Sequence, residues 1–159
     1  MNLRVLCVGR MKEKPYRLMA DEYIKRLTRF GKIEEVEVPD LPEPPRGGAE
    51  AEEKVREREG EALLERVKGG DYVIALTIPG AQYASEAFSR HLEELALRGH
   101  SSVAFVIGGS LGLSRAVLAR ADEEMSLGPM TFPHQLARVM LLEQLYRARK
   151  IASGERYHK

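Results

Sequence analysis

SVAFVIGGSLGLS, residues 102–114, reads as a strand, a glycine-rich turn and the start of a helix in unbroken succession. Val103, Phe105, Val106 and Ile107 are β-branched or aromatic, the types that fit a pleated, buried surface. A short apolar run of this kind, bounded by glycine, suits a strand covered on both faces. Gly108, Gly109 and Gly112 let the backbone turn sharply and come close to a ligand, and Ser114 is suited to cap a short helix through Ala121. A strand that passes into a helix across such a turn belongs to an α/β sheet with parallel strands.

The rest of the chain repeats this alternation. Residues 3–8 (LRVLCV), 32–38 (KIEEVEV) and 71–78 (DYVIALTI) are further strands, the second with Val36 and Val38 on one face, the third closed by Pro79-Gly80. EMSLG, 124–128, is a short last strand. Tyr16, Met19, Ala20, Tyr23, Ile24, Leu27 and Phe30 recur at helical spacing. Residues 49–68 form a charged helix with a sparse stripe through Val55, Ala62, Leu63 and Val67, its glutamates and arginines reading as a solvated face. Ser85 caps a helix that turns Phe88, His91, Leu92 and Leu95 inward. Pro39 to Gly48 holds four prolines and can only be a loop. MTFPHQLARVMLLEQLYRA, 130–148, opens the last helix on an apolar loop in place of a polar cap, with Pro133 setting φ for the first turn. Its apolar positions Val139, Leu142, Leu145 and Tyr146 suit either a twin subunit or the core of one chain. The expected architecture is α/β, a mainly parallel sheet flanked by helices, without internal repeats.

A length of 159 residues fits one domain spanning 1–159. Cys7 is the only cysteine and lies inside LRVLCV, so it reads as a buried thiol and no internal disulfide is possible. HExxH, CxxC and clustered Asp/His ligand sets are absent, so no metal is expected. No stretch reaches the roughly 18 apolar residues of a membrane span. Met1-Asn2-Leu3 runs directly into a strand pattern, and a cytoplasmic protein is expected. The net charge is only +1, but residues 134–159 carry six Arg and Lys against two Glu. A basic C-terminus on an acidic body points to nucleic acid, or more blandly to cations that complement a helix C-terminus.

In open α/β sheets the ligand crevice lies beyond the carboxyl ends of the strands. Three loops qualify: PGAQ after Ile78, GGSLGLS after Ile107, and GPMTFPH after Leu127. The glycines do not match GxGxxG, and the lysine of a phosphate-binding P-loop is missing. A GxSxG nucleophile elbow is absent too. An apolar, glycine-lined pocket with backbone donors suits a neutral heteroaromatic ring better than a triphosphate, with Met130 and Phe132 enclosing a base.

FVIGGSLGLS (105–114), MSLGPMTFPHQLARVMLLEQLYRA (125–148) and the terminal YHK (157–159) resemble the RlmH family of SPOUT-class methyltransferases. The VLCVGRMKEKPY start, EVPD and LTIPG match as well, so the resemblance covers essentially the whole chain. It implies a homodimer whose fold ends in a C-terminal trefoil knot, an arrangement that general fold rules would not select. It implies methylation, from S-adenosyl-L-methionine, of N3 of a pseudouridine in helix 69 of 23S ribosomal RNA, in the large subunit or the assembled ribosome. By position it assigns the cofactor to Leu76, Gly108 and Gly109 and to the run Leu127, Gly128, Pro129, Met130, Thr131 and Phe132. Thr77 stands where relatives commonly carry an acidic residue, so no carboxylate contact is expected there.

Within that reading, His134 and His158 are candidate bases, since histidine titrates nearest neutrality, and His134 could equally shape the helix start. Arg138, one turn further on, could meet an RNA phosphate or the uracil edge. Tyr157, His158 and Lys159 form an aromatic and cationic tip suited to base stacking and phosphate contact, at this subunit's site or its partner's. Arg149, Lys150 and Arg156 are further candidates for phosphate contact. Two other classes fit the residues: a non-enzymatic ribosome-binding module that uses the basic C-terminus, and a nucleotide-binding α/β enzyme acting on a free metabolite.

Overall fold

The computed structural model describes residues 1–157; His158 and Lys159 lie outside the described residues. Five strands, β1 (Asn2–Val8), β2 (Ile33–Val38), β3 (Asp71–Gln82), β4 (Ser102–Ile107) and β5 (Glu123–Ser126), form one sheet in the order β2-β1-β4-β3-β5. Every pairing is parallel. Four α-helices connect them, α1 (Lys14–Leu27), α2 (Ala49–Arg66), α3 (Ser85–Leu97) and α4 (Arg115–Arg120), and α5 (His134–Ala152) follows the last strand.

Helices on both faces explain why β1 and β4 are buried almost throughout. Val5, Cys7, Phe105 and Ile107 point to the side where α1, α3 and α5 pack, joining Leu92, Leu142 and Leu145. Leu6, Val8, Ala104 and Val106 point to the other side, against Leu63 of α2 and Val117 of α4. The alternation within LRVLCV therefore divides one strand between two cores. Cys7 is buried as expected, and burial pushes its thiol up to about 12.

Ser114 caps α4 as read, its Oγ accepting the Val117 N–H at 3.3 Å. Five sequence expectations shift. β3 does not stop at Pro79-Gly80 but runs to Gln82, with a register slip against β5 between Leu76 and Ala81. A slip tolerates Pro79, whose nitrogen has no hydrogen to give, and a Cβ on Gly80 would lie 2.6 Å from the Met125 carbonyl carbon. Ser85 is the first residue of α3 and not its cap; its hydroxyl donates to Gln144 Oε1 at 2.8 Å, tying α3 to α5. Pro133 is the residue before α5, with ψ of 139°, so it ends the loop and does not begin the helix. Val139, Leu142, Leu145 and Tyr146 are buried in their own chain's core, which leaves none of that face for a twin. Met19 turns out 42% exposed, beyond the inward stripe of α1.

Candidate active site

A cleft of about 840 Å³ opens where the register slip within β3 meets the loops that follow the carboxyl ends of β4 and β5. Leu76, Thr77 and Ile78 form one wall, Gly108 to Leu113 the second, and Leu127, Gly128 and the Met130 to His134 segment the third. Of the nine positions assigned to a cofactor, eight line this cleft; Pro129 does not and is exposed. His134 is the only titratable side chain among the lining residues, which otherwise carry only hydroxyls and backbone as polar groups.

The glycine loop is built by its own contacts. Gly112, at φ of +85°, donates its N–H to the Gly109 carbonyl at 3.1 Å and closes a tight turn. A Cβ on Gly108 would lie 2.8 Å from the Gly112 carbonyl carbon, so the loop closes only around glycine there. From behind, α2 supports it. Arg56 donates to the Leu111 carbonyl at 3.3 Å, and both Glu59 carboxylate oxygens lie 3.3 Å from the point a Gly109 Cβ would occupy.

Glu59 corrects the reading of α2 as solvated: it is buried and accepts the Leu41 N–H at 3.1 Å. Burial holds its carboxyl above the usual range, and neighbouring Asp40 adds to the effect. The sequence carried one signal, Gly60, a costly residue inside a helix; its Cβ would strike Ser114 Oγ at 2.2 Å. On the third wall, Ser126 Oγ both donates to the Gly128 carbonyl and accepts the Gly128 N–H, each at 3.0 Å, holding the turn at φ of +134°. Thr77 Oγ1 is buried and has no hydrogen-bond partner among the described residues.

His134 is half-buried at the first position of α5, its Nε2 3.7 Å from the Cβ position of Gly9. Arg138 does not reach the surface. It is fully buried, and its guanidinium donates to the Gly9 carbonyl at 3.0 Å, to Glu37 at 3.0 Å and to Glu35 at 3.2 Å. In this chain it therefore cannot meet an RNA phosphate, because its charge is already matched.

Arg149 and Lys150 are likewise engaged. Arg149 donates to the Met1 carbonyl at 3.2 Å and lies near Glu93; burial lowers its pKa. Lys150 pairs with Glu155, and Arg156 is exposed. Tyr157 packs edge-on to Tyr146 at 5.2 Å with the Arg147 guanidinium over its ring, well placed for packing and turned from the cleft's lining. Burial, with Tyr23 and Glu143 nearby, pushes its hydroxyl up to about 12. The assignments to His158 and Lys159 fall outside the described residues.

Residues 1–158 match a family described as "Predicted SPOUT methyltransferase". The chain is 49% identical to "Ribosomal RNA large subunit methyltransferase H" of Clostridium botulinum and 48% identical to the proteins of that name from Alkaliphilus oremlandii and Lactobacillus helveticus. Each comparison covers the whole of both chains.

Proposed function

The chain belongs to the SPOUT methyltransferase family, and from that premise we propose that it methylates N3 of a pseudouridine in helix 69 of 23S ribosomal RNA, using S-adenosyl-L-methionine. The substrate is the large subunit or the assembled ribosome, in the cytoplasm. The names of the full-length relatives support ribosomal RNA as the target class.

The observation that carries the cofactor reading is the cleft's chemistry. It is roomy, mostly apolar and free of Lys and Arg among its lining residues, which fits an adenine ring and disfavours a triphosphate. The Thr77 hydroxyl, buried without a partner among the described residues, is a group that a bound ligand can complete. Leu76, Gly108, Gly109 and the run from Leu127 to Phe132 would hold the cofactor. When bound, S-adenosylmethionine supplies a methyl group already activated by its sulfonium.

The chain's own task is then alignment and removal of the N3 proton. His134, at the cleft mouth, is the proposed proton acceptor. Arg138 is a positioning residue: it fixes the start of α5 against Gly9 and thereby the place of His134. We read the molecule as a homodimer, with α5 drawn through the preceding loop as a trefoil knot. Because the inner face of α5 is used within the chain, the twin contact moves to exposed Leu18 and Met19 and the groove of about 500 Å³ lined by Tyr23, Tyr83 and Met140. The tip at Tyr157, His158 and Lys159 then serves the partner's cleft.

Mass mapping of 23S ribosomal RNA from a strain lacking this gene tests the reaction: a methyl missing from helix 69 is expected, and an unchanged map overturns it. Calorimetry with S-adenosylmethionine and ATP tests the cleft, with binding expected for the first alone.

A further inference from the structure

The sequence places the nucleic-acid contacts in the basic C-terminus, yet most of those cations are taken up by internal partners. The β1–α1 loop is different. GRMKEK, residues 9–14, carries Arg10, Lys12 and Lys14, all exposed, and none has a carboxylate within ion-pair distance among the described residues. Glu13 lies between two of them and Asp40 packs against Gly9, so the local balance stays positive.

The loop is fixed in place. Gly9 turns at φ of +88°, donates to the Val38 carbonyl at 2.8 Å and accepts from Arg138. Met11 is buried, and its N–H is held by Glu37 at 2.9 Å. With residue 11 anchored inward, residues 10 and 12 are presented outward on a short rigid base. The Glu13 N–H meets Gln135 of α5 at 3.4 Å. Since β1 lies next to β4 in a parallel sheet, the loop sits at the same edge as the glycine turn, beside His134 at the cleft mouth.

We propose that Arg10, Lys12 and Lys14 form a basic lip that carries the phosphates of the RNA substrate as the target base enters the cleft. Phosphate contacts set the register and orientation of a nucleic acid without reading its bases, and a fixed lip beside the cofactor loops gives a target base one direction of entry. The proposal rests on the reading that RNA is the substrate.

The test compares the wild type with Arg10→Gln/Lys12→Gln/Lys14→Gln in binding to ribosomes that lack the modification, across a salt series, with calorimetry for S-adenosylmethionine alongside. Neutralising three phosphate contacts is expected to weaken ribosome binding more than tenfold at low salt and to reduce the log–log salt slope by roughly two, at about 0.7 to 0.9 per contact. Cofactor affinity stays as in the wild type. A variant that binds cofactor and ribosomes with wild-type affinity and slope overturns the lip and leaves the RNA reading standing. A wild type that fails to bind ribosomes overturns both. Neutralising Lys25, Lys32 and Arg90, exposed cations elsewhere on the fold, is the control: an equal loss there overturns the lip by reducing its effect to general charge.

Discussion

Arg138 on the second turn of α5 donates to the main-chain carbonyl of Gly9, the residue that follows β1, across 3.0 Å. One buried guanidinium therefore joins the last helix to the first strand and balances Glu35 and Glu37 of β2 on the way. Arg138→Met leaves Glu37 without a cation, while Glu35 keeps Arg17 at 2.7 Å, and breaking a buried pair costs about 3 to 5 kcal/mol. Thermal melts should fall by roughly 10 °C, at about 2 to 4 °C per kcal/mol for a chain of this size. Arg138→Lys should recover little, because a point charge cannot bridge three separate acceptors as the planar fork does.

Gly108→Ala tests the glycine turn. The added carbon meets the Gly112 backbone inside the same loop, so the damage is to the loop's closure before any ligand is met. Overpacking of this kind costs about 1 to 3 kcal/mol. The expected result is a protein that is folded by circular dichroism, with a lower melting temperature and cofactor affinity reduced at least tenfold by calorimetry. Gly108→Val should be worse in both respects, and normal cofactor binding by either variant would remove this loop from the site.

Thr77→Val replaces a buried hydroxyl that has no partner among the described residues with a methyl of the same shape. An unsatisfied buried polar group costs about 1 to 3 kcal/mol, so the ligand-free variant should melt a few degrees higher than the wild type. If a ligand completes that hydroxyl, the extra stabilisation brought by saturating S-adenosylmethionine should be smaller in the variant. Melts with and without the cofactor measure both effects; equal ligand-induced shifts would mean that Thr77 makes no bond to it.

Glu59 gives the fold a pH dependence of definite sign. Burial, the largest cause, raises its folded-state pKa, so as pH rises from the ordinary carboxylate range the unfolded chain releases this proton first. Stability contributed by the protonated group is present below the unfolded value and is lost as pH climbs through the folded one. Glu59→Gln has no such proton to lose. Urea denaturation from pH 4 upward should show the variant gaining on the wild type with rising pH, and a constant difference across the series would refute the assignment.

The sequence made the sheet and the walls of the cleft legible for different reasons. β1 and β4 declared themselves because burial on both faces demands unbroken apolar runs, and Ser114 because capping needs a hydroxyl at one place. The full length of β3 was hidden because Pro79-Gly80 is ordinarily punctuation, and only the neighbouring strand's backbone, 2.6 Å from a Gly80 Cβ, shows it as a slip inside a continuing strand. Glu59 was hidden because one buried carboxylate in a helix of many exposed ones has no pattern of its own. Arg138 was misjudged for the opposite reason: an arginine near a candidate site invites a ligand, while its partners Glu35, Glu37 and Gly9 lie over a hundred residues earlier, beyond any local spacing rule.

The residues lining the cleft run from Leu76 to Ala137, and Leu3, paired with Ile33 on its outer side, gains its inner neighbour only when Val103 arrives beside it. During synthesis the first strand must therefore wait for two thirds of the chain to emerge before its inner neighbour exists. The third wall and the start of α5 come later still, so no fragment that stops short of the last helix possesses a complete pocket. Nascent chains, and any product that ends before Ala137, are expected to be unable to sequester the methyl donor, since part of the third wall is then missing.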